Sequence, residues 1–213
     1  GVLFLDEFPE FRKDTLEALR QPIEDGFVTI TRASARSTYP AQFMLVAAMN
    51  PCPCGNYGSR ITPCRCTAQQ IQRYRNRISG PMLDRIDIHV EMGEVGYNDI
   101  AGRSCGEPSS AIRARVNAAR AIQTRRYAGM GILFNAQLTN RMMNQYCVLT
   151  SDAEALMKKA FAALKLSARA YTRLLKVSRT IADLAGSEQI KAEHIAEAIQ
   201  YRSLESKYWG EIK

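Results

Sequence analysis

Gly1-Val2-Leu3-Phe4-Leu5-Asp6-Glu7 runs from four apolar residues straight into two carboxylates. An apolar run with no polar alternation predicts a strand buried on both faces, as in the sheets of α/β proteins. Such a strand delivers Asp6 and Glu7 at its C-terminal end, where open α/β sheets place their ligand sites. The run has no start methionine and reads as cut from something longer, so the chain is expected to be a fragment.

Moving outward, Leu16, Leu19 and Ile23 recur at helical spacing and predict an amphipathic helix over 12–24, with Gly26 just past its end. Phe27 to Thr31 and Ser37 to Tyr39 are β-branched and aromatic, with small residues Ala33 to Ala35 between them, which predicts a hairpin tipped by Arg32. Phe43 to Met49 predicts a second buried strand, stopped by Asn50-Pro51. Residues 51–80 are rich in Cys, Gly, Pro, Arg and Gln and lack a regular period until the Thr67 to Ile78 stretch. Ile86, Ile88 and Val90 alternate with Asp87, His89 and Glu91 and predict a third strand. From Pro108 onward glycine and proline become scarce, and helices are predicted over 109–127, 151–164, 167–185 and 191–204, with Ser109, Ser151 and Ser167 as N-caps. The expected architecture is an α/β core over 1–93, a linker over 94–107 and an all-α domain over 108–213, without internal repeats.

The chain has 213 residues, 46% of them hydrophobic, enough for packed cores. No apolar run of membrane-spanning length and no secretory leader occurs, so a cytoplasmic protein without membrane contact is expected. Lys and Arg outnumber Asp and Glu by 29 to 21, a balance that suits a polyanionic partner and equally a solvated basic surface. Six cysteines without secretory features indicate reduced thiols or a metal site rather than a disulfide framework.

An apolar strand ending in Asp-Glu is the Walker B pattern of P-loop ATPases, in which the aspartate helps hold Mg²⁺ and the glutamate polarises the attacking water. Acidic residues after a strand also commonly cap the next turn, so the pair alone is a weak signal. Three further segments follow in order. Ala47-Ala48-Met49-Asn50-Pro51 ends the neighbouring strand in a polar amide, similar to the sensor-1 position of AAA+ proteins. Pro81-Met82-Leu83-Asp84-Arg85-Ile86-Asp87 resembles the segment that offers an arginine finger to the next subunit in chelatase and minichromosome-maintenance ATPases. Ser167-Ala168-Arg169-Ala170 resembles their sensor 2.

Together with Ile30-Thr31-Arg32-Ala33, Asn50-Pro51-Cys52-Pro53-Cys54-Gly55 and Ser79-Gly80-Pro81, these motifs make the chain similar, over nearly its whole length, to the magnesium-chelatase-like AAA+ ATPases of the ComM/YifB family. The resemblance implies a partial P-loop core, from Walker B to the arginine finger, followed by a helical lid. It implies ATP and Mg²⁺ as cofactors of the intact protein, with Asp6 on the Mg²⁺, Asp6, Glu7, Asn50 and Arg169 around the nucleotide, and Arg85 acting on a neighbour's nucleotide. It also implies a homo-hexameric ring moving on DNA, ComM being associated with branch migration. G-x-x-x-x-G-K-[ST] does not occur in the 213 residues, so the chain alone is expected to bind ATP poorly.

Each of these residues has a plainer role available. Arg85 could pair with Asp84 or Asp87 on a solvated face. Arg169 competes with Arg173 and Arg179 for the sensor-2 role. Cys52-x-Cys54 and Cys64-x-Cys66 supply four thiols, enough for a tetrahedral Zn²⁺, although their spacing is not the common C-x-x-C and buried free thiols are the alternative. Cys105 and Cys147 read as small apolar residues, and His89 and His194 as hydrogen-bonded structural histidines. For DNA, Arg32 and Arg36 resemble the basic tip of a pore hairpin, and Arg60, Arg65, Arg73, Arg75 and Arg77 form a second basic set. Arg113, Arg115, Arg120, Arg125 and Arg126 read as a solvated face or subunit contact. Two rival functions share these features: a chelatase-type subunit for inserting a metal into a tetrapyrrole, and a non-catalytic ring or scaffold subunit.

Overall fold

The computed structural model describes residues 1–32, 35–94 and 106–209. The chain divides into two compact units, with Gly1–Ile86 forming the body of the first and Asp87–Ser203 the second. No helix among the described residues is long and apolar enough to cross a membrane.

In the first unit, β1 (Val2–Leu5) pairs in parallel with β4 (Met44–Ala47), in the register Val2↔Met44 to Leu5↔Ala47. Between them lie α1 (Lys13–Ala18), α2 (Arg20–Asp25) and the antiparallel hairpin of β2 (Phe27–Arg32) and β3 (Ala35–Pro40). The single helix expected over 12–24 is two short ones. Pro22 has no N–H to donate to the Ala18 carbonyl and its ring crowds that turn, so the helix breaks at Leu19 and restarts. Gly26 closes α2 with φ 73°, its N–H donating to the Pro22 carbonyl at 3.0 Å. Residues 33 and 34 at the hairpin tip lie outside the described residues.

The two apolar strands are covered on one face only. Leu5 and Leu45 pack on a core of Phe8, Leu16, Ile78, Met82 and Leu83. The alternate residues point away, and Val2 and Met44 are 67% and 64% exposed. Burial of both faces was expected; the described residues supply one covering layer. The loop after β4 leads to α3 (Ala68–Arg75), opened by a capping box between Thr67 and Gln70, and then to α4 (Gly80–Leu83), capped by Ser79.

The third strand expected over 86–90 is not formed. That segment has no regular secondary structure, Ile88 and Val90 remain exposed, and the His89 N–H donates to the Tyr201 carbonyl at 2.8 Å rather than to a neighbouring strand. Alternation predicts a strand only where a partner strand lies alongside. Residues 95–105, which hold most of the expected linker and Cys105, lie outside the described residues.

The second unit is helical: α5 (Ser109–Arg126), α6 (Asn140–Tyr146), α7 (Ser151–Ala163), α8 (Ala168–Leu184) and α9 (Ala192–Trp209). Ser167 caps α8 as expected, accepting the Ala170 N–H at 3.1 Å. Thr150, not Ser151, caps α7, and Ser109 is already inside α5 behind Pro108. The core gathers Leu138, Met143, Met157, Leu174, Ile190 and Ile195. Cys147 packs there too, and burial pushes its thiol up to about 11.

Asp183 on α8 sits in the middle of this unit with its side chain fully buried. Arg126 donates to its two oxygens at 2.5 and 2.9 Å, Arg179 Nε at 3.1 Å, Asn135 at 2.8 Å and Gln123 at 3.2 Å. Arg179, itself 1% exposed, also donates to the Ser187 and Glu188 carbonyls, tying the turn after α8 to the helix. Arg126 was expected on a solvated face, and it is instead the main partner of Asp183. A buried carboxylate with four side-chain donors is held ionised: burial alone would raise its pKa, but the hydrogen bonds from Arg126 and Asn135 and the charge of Arg179 bring it below the ordinary 3.8.

Asp183→Asn leaves two guanidinium groups without their counter-charge, and should cost about 3 to 5 kcal/mol in chemical denaturation. His89 supplies a pH test. Its ring nitrogens have no hydrogen-bond partner, and burial, followed by the charge of Arg202, lowers its pKa to about 4. The fold therefore favours neutral His89, so stability should be complete above the ordinary value of 6.5 and decline as pH falls from there towards 4. Thermal midpoints measured from pH 7.5 to 4.5 should fall, and His89→Leu should flatten that decline.

Candidate active site

The ends of β1 and β4 are stitched together by backbone hydrogen bonds. The Ala48 N–H donates to the Leu5 carbonyl and the Phe8 N–H to the Ala48 carbonyl, both at 2.9 Å. This brings Asp6-Glu7 beside Met49-Asn50 at the C-terminal edge of the parallel pair, with all of Asp6, Glu7 and Asn50 exposed. Glu7 lies in the left-handed region, φ 50° and ψ 43°, which costs a residue with a Cβ roughly 1 to 2 kcal/mol. The buried Phe8-Pro9 turn that follows holds it there. The Glu7 N–H donates back to Asp6 Oδ1 at 2.9 Å.

Asn50 is held by its backbone. The carbonyl of the next residue, Pro51, accepts from Arg75 Nε at 3.3 Å, and the Asn50 backbone lies beside the Tyr74 hydroxyl of α3. Arg75 is 1% exposed and its guanidinium lies 4.7 Å from the centre of the Tyr57 ring. Arg75 was expected among the DNA-facing arginines and is a buried strut. Arg77 is also engaged, donating to Glu10 and to the Pro9 carbonyl.

Arg85 follows α4, and neither Asp84 nor Asp87 accounts for its pairing. It bonds Glu24 of α2 and the Pro81 carbonyl, and its side chain is 10% exposed. Its Nε is buried without a hydrogen-bond partner. Ser79, the cap of α4, donates to Glu17 of α1 at 2.5 Å, and this bond, followed by that from Arg20, lowers the Glu17 pKa. The segment bearing Arg85 is thus fastened to α1 and α2 at two points. Glu17, Arg20 and Glu24 were not singled out from the sequence, although their three- and four-residue spacing marks the polar stripe of a helix.

Arg169 occupies the exposed first turn of α8, in the second unit. Of its competitors, Arg173 pairs with Asp87 at 2.9 Å and Arg179 is buried against Asp183. Arg32 and Arg36 are both exposed near the hairpin tip. Arg32 pairs with Ala35 and Arg36 with Thr31, so the two arginines project from opposite faces of the ribbon.

The sulfur atoms of Cys52, Cys54, Cys64 and Cys66 all lie within 4.8 Å of one another. None is in a disulfide. Backbone N–H groups of Asn56 and Arg65 donate to Cys54 and pull its thiol down to about 6, while burial and the neighbouring Cys54 push Cys66 up to about 12. His194 accepts the Lys191 N–H on Nδ1 at 3.0 Å, the structural role expected of it. His89 has no such bond to its ring nitrogens, so packing alone accommodates it.

Residues 1–100 match the family model described as magnesium chelatase, subunit ChlI, and residues 106–202 match its C-terminal companion. The chain is 47% identical over 205 residues to competence protein ComM of Haemophilus influenzae, covering 96% of this chain and 39% of that protein. It is 45% identical over 206 residues to YifB of Salmonella typhimurium, covering 96% of this chain and 40% of that protein. A more distant relative, the zygotic DNA replication licensing factor mcm6-A of Xenopus laevis, is 23% identical over 94% of this chain and 24% of its own length. The chain thus spans about two fifths of the length of ComM and YifB. Two adjoining family models and these identities, falling on a parallel strand pair that ends in Asp6-Glu7 and Asn50, show that the chain belongs to the magnesium-chelatase-like AAA+ family, alongside ComM and YifB.

Proposed function

We propose that this chain supplies the water-activating edge and the subunit-facing arginine of an ATP-hydrolysing ring motor that acts on DNA. The observation that carries the reading is the meeting of Asp6, Glu7 and Asn50 at the C-terminal edge of β1 and β4, with Glu7 kept in a strained left-handed conformation. Strain of this kind collects at sites where a side chain must be aimed.

The donor set suits Mg²⁺. Asp6 is an exposed carboxylate beside Glu7, and hard cations take oxygen ligands. When bound with ATP, the ion would neutralise charge on the phosphates. Glu7 would accept a proton from the attacking water, and Asn50 would orient that water with its amide. The phosphate-gripping loop would come from outside these 213 residues. Arg85 would leave Glu24 for the phosphate of a neighbouring subunit, and its unsatisfied Nε is consistent with a resting arrangement of that kind. Arg169 would serve as the sensor from the helical lid. The ring assembly, taken as a hexamer, follows from the trans role of Arg85.

DNA is favoured by the exposed Arg32 and Arg36 on the hairpin and by the relative named as a DNA replication licensing factor. Phosphate contacts from a hairpin tip track a backbone without reading its sequence. Because the two arginines leave opposite faces, they would contact different phosphates, and each should be separable by mutation.

In the full-length protein, Glu7→Gln should reduce ATP turnover by about 10² to 10⁴-fold with nucleotide binding retained. An unchanged rate would remove Glu7 from the chemistry. Arg32→Ala should weaken DNA binding and make the salt slope shallower by about 0.7 to 0.9 for each phosphate that the hairpin no longer neutralises, leaving basal turnover intact. Arg85→Ala should abolish turnover with DNA affinity unaltered. Full DNA affinity and movement in Arg32→Ala would favour the chelatase or scaffold readings.

A further inference from the structure

The thiol cluster takes no part in the proposed hydrolysis, and its geometry is specific. In a tetrahedral Zn²⁺ centre with bonds of about 2.3 Å, ligand sulfurs stand about 3.8 Å apart. Cys52 lies 3.4 Å from Cys54 and 3.7 Å from Cys64, and Cys54 lies 3.6 Å from Cys64. A disulfide would need about 2.05 Å. An iron–sulfur cluster spreads its thiolates over several irons, wider than a group confined within 4.8 Å. We propose that Cys52, Cys54, Cys64 and Cys66 form a mononuclear tetrathiolate zinc centre that pins the loop between β4 and α3.

Three features around the sulfurs support a metal-bound tetrathiolate over four packed thiols. First, backbone N–H groups point at sulfur. The Cys66 N–H donates to the Cys64 sulfur at 3.4 Å. Such donors offset the surplus negative charge of four thiolates around one divalent ion, the outer-shell support that metal sites need. Second, burial is graded: Cys52 is fully buried, Cys64 and Cys66 partly, and Cys54 is exposed. Packing explains the first of these alone. Third, residues 51–67 contain no helix or strand, so the loop has little backbone ladder of its own. One ion would join its two ends, Cys52-x-Cys54 and Cys64-x-Cys66, and replace the missing ladder.

The centre would also act on its surroundings. Cys52 is two residues beyond Asn50, and the intervening Pro51 carbonyl is the acceptor for buried Arg75. Zinc would thereby fix the backbone that carries Asn50, together with the strut formed by Arg75, Tyr57 and Tyr74. This role does not depend on the ATPase reading, because it concerns the order of the loop and not turnover.

The protein purified without chelator should contain about one zinc per chain by elemental analysis, released in step with four thiols on titration with a mercurial reagent. Exchange for Co²⁺ should give the intense visible absorption of a tetrahedral thiolate complex. Cys64→Ser should lower zinc content at least tenfold and raise amide exchange across 51–67. Cys64→His should keep the metal, since His is an accepted zinc ligand, so a Ser variant that fails to fold does not end the test. Zinc near zero with four freely titrating thiols, iron in place of zinc, or a Co²⁺ spectrum that is not tetrahedral would each overturn the proposal.

Discussion

Four residues of β1 run in parallel with four of β4, and the placement of Asp6, Glu7 and Asn50 depends on that pairing. Strands that run the same way end at the same edge, so the residues that follow each of them are brought together without any long-range side-chain contact. Asp6-Glu7 and Asn50 are neighbours for this reason. Anchoring then proceeds outward by bonds to the backbone: Phe8 to Ala48 on one side, and Arg75 to the Pro51 carbonyl on the other. The side chains of Asp6, Glu7 and Asn50 remain exposed while neighbouring main chain carries the restraint.

The second unit is organised differently, around charge. A fully buried carboxylate receives donors from α5, the Asn135 turn and α8. Buried ion pairs often stabilise less than well-packed apolar residues would, since two charges must leave water. Asp183 offsets that cost with four side-chain donors. Directional bonds from three separate segments also select one arrangement of those helices, which a purely apolar seam of Leu and Ala would select less sharply.

Much of this was legible from residue order. The strand ending in two carboxylates, the hairpin, the four principal helices and the Ser167 cap all follow from period and capping chemistry. What failed has a common cause: local pattern does not know its neighbours. The alternation over 86–90 is real, but no strand among the described residues pairs with it. The apolar run of β1 indicates two covered faces and finds one among the described residues. Arg75 and Arg126 look like surface charge by composition, and only the fold reveals Pro51 and Asp183 opposite them. Arg85 had two acidic neighbours in sequence and took a third, Glu24, from another helix. The helix break at Leu19 was readable, because Pro22 stood inside the predicted run.

The parallel pair also fixes an order of assembly. Its two strands are separated in sequence by two helices and the hairpin, and bringing distant segments together carries a loop-closure penalty that local contacts avoid. The hairpin of β2 and β3, joined across two residues, needs a far shorter loop closure. The β1–β4 register can close only after that intervening chain has collapsed to a short span. The edge that would polarise water therefore rests on a contact between segments distant in sequence, whereas the basic hairpin rests on a local one.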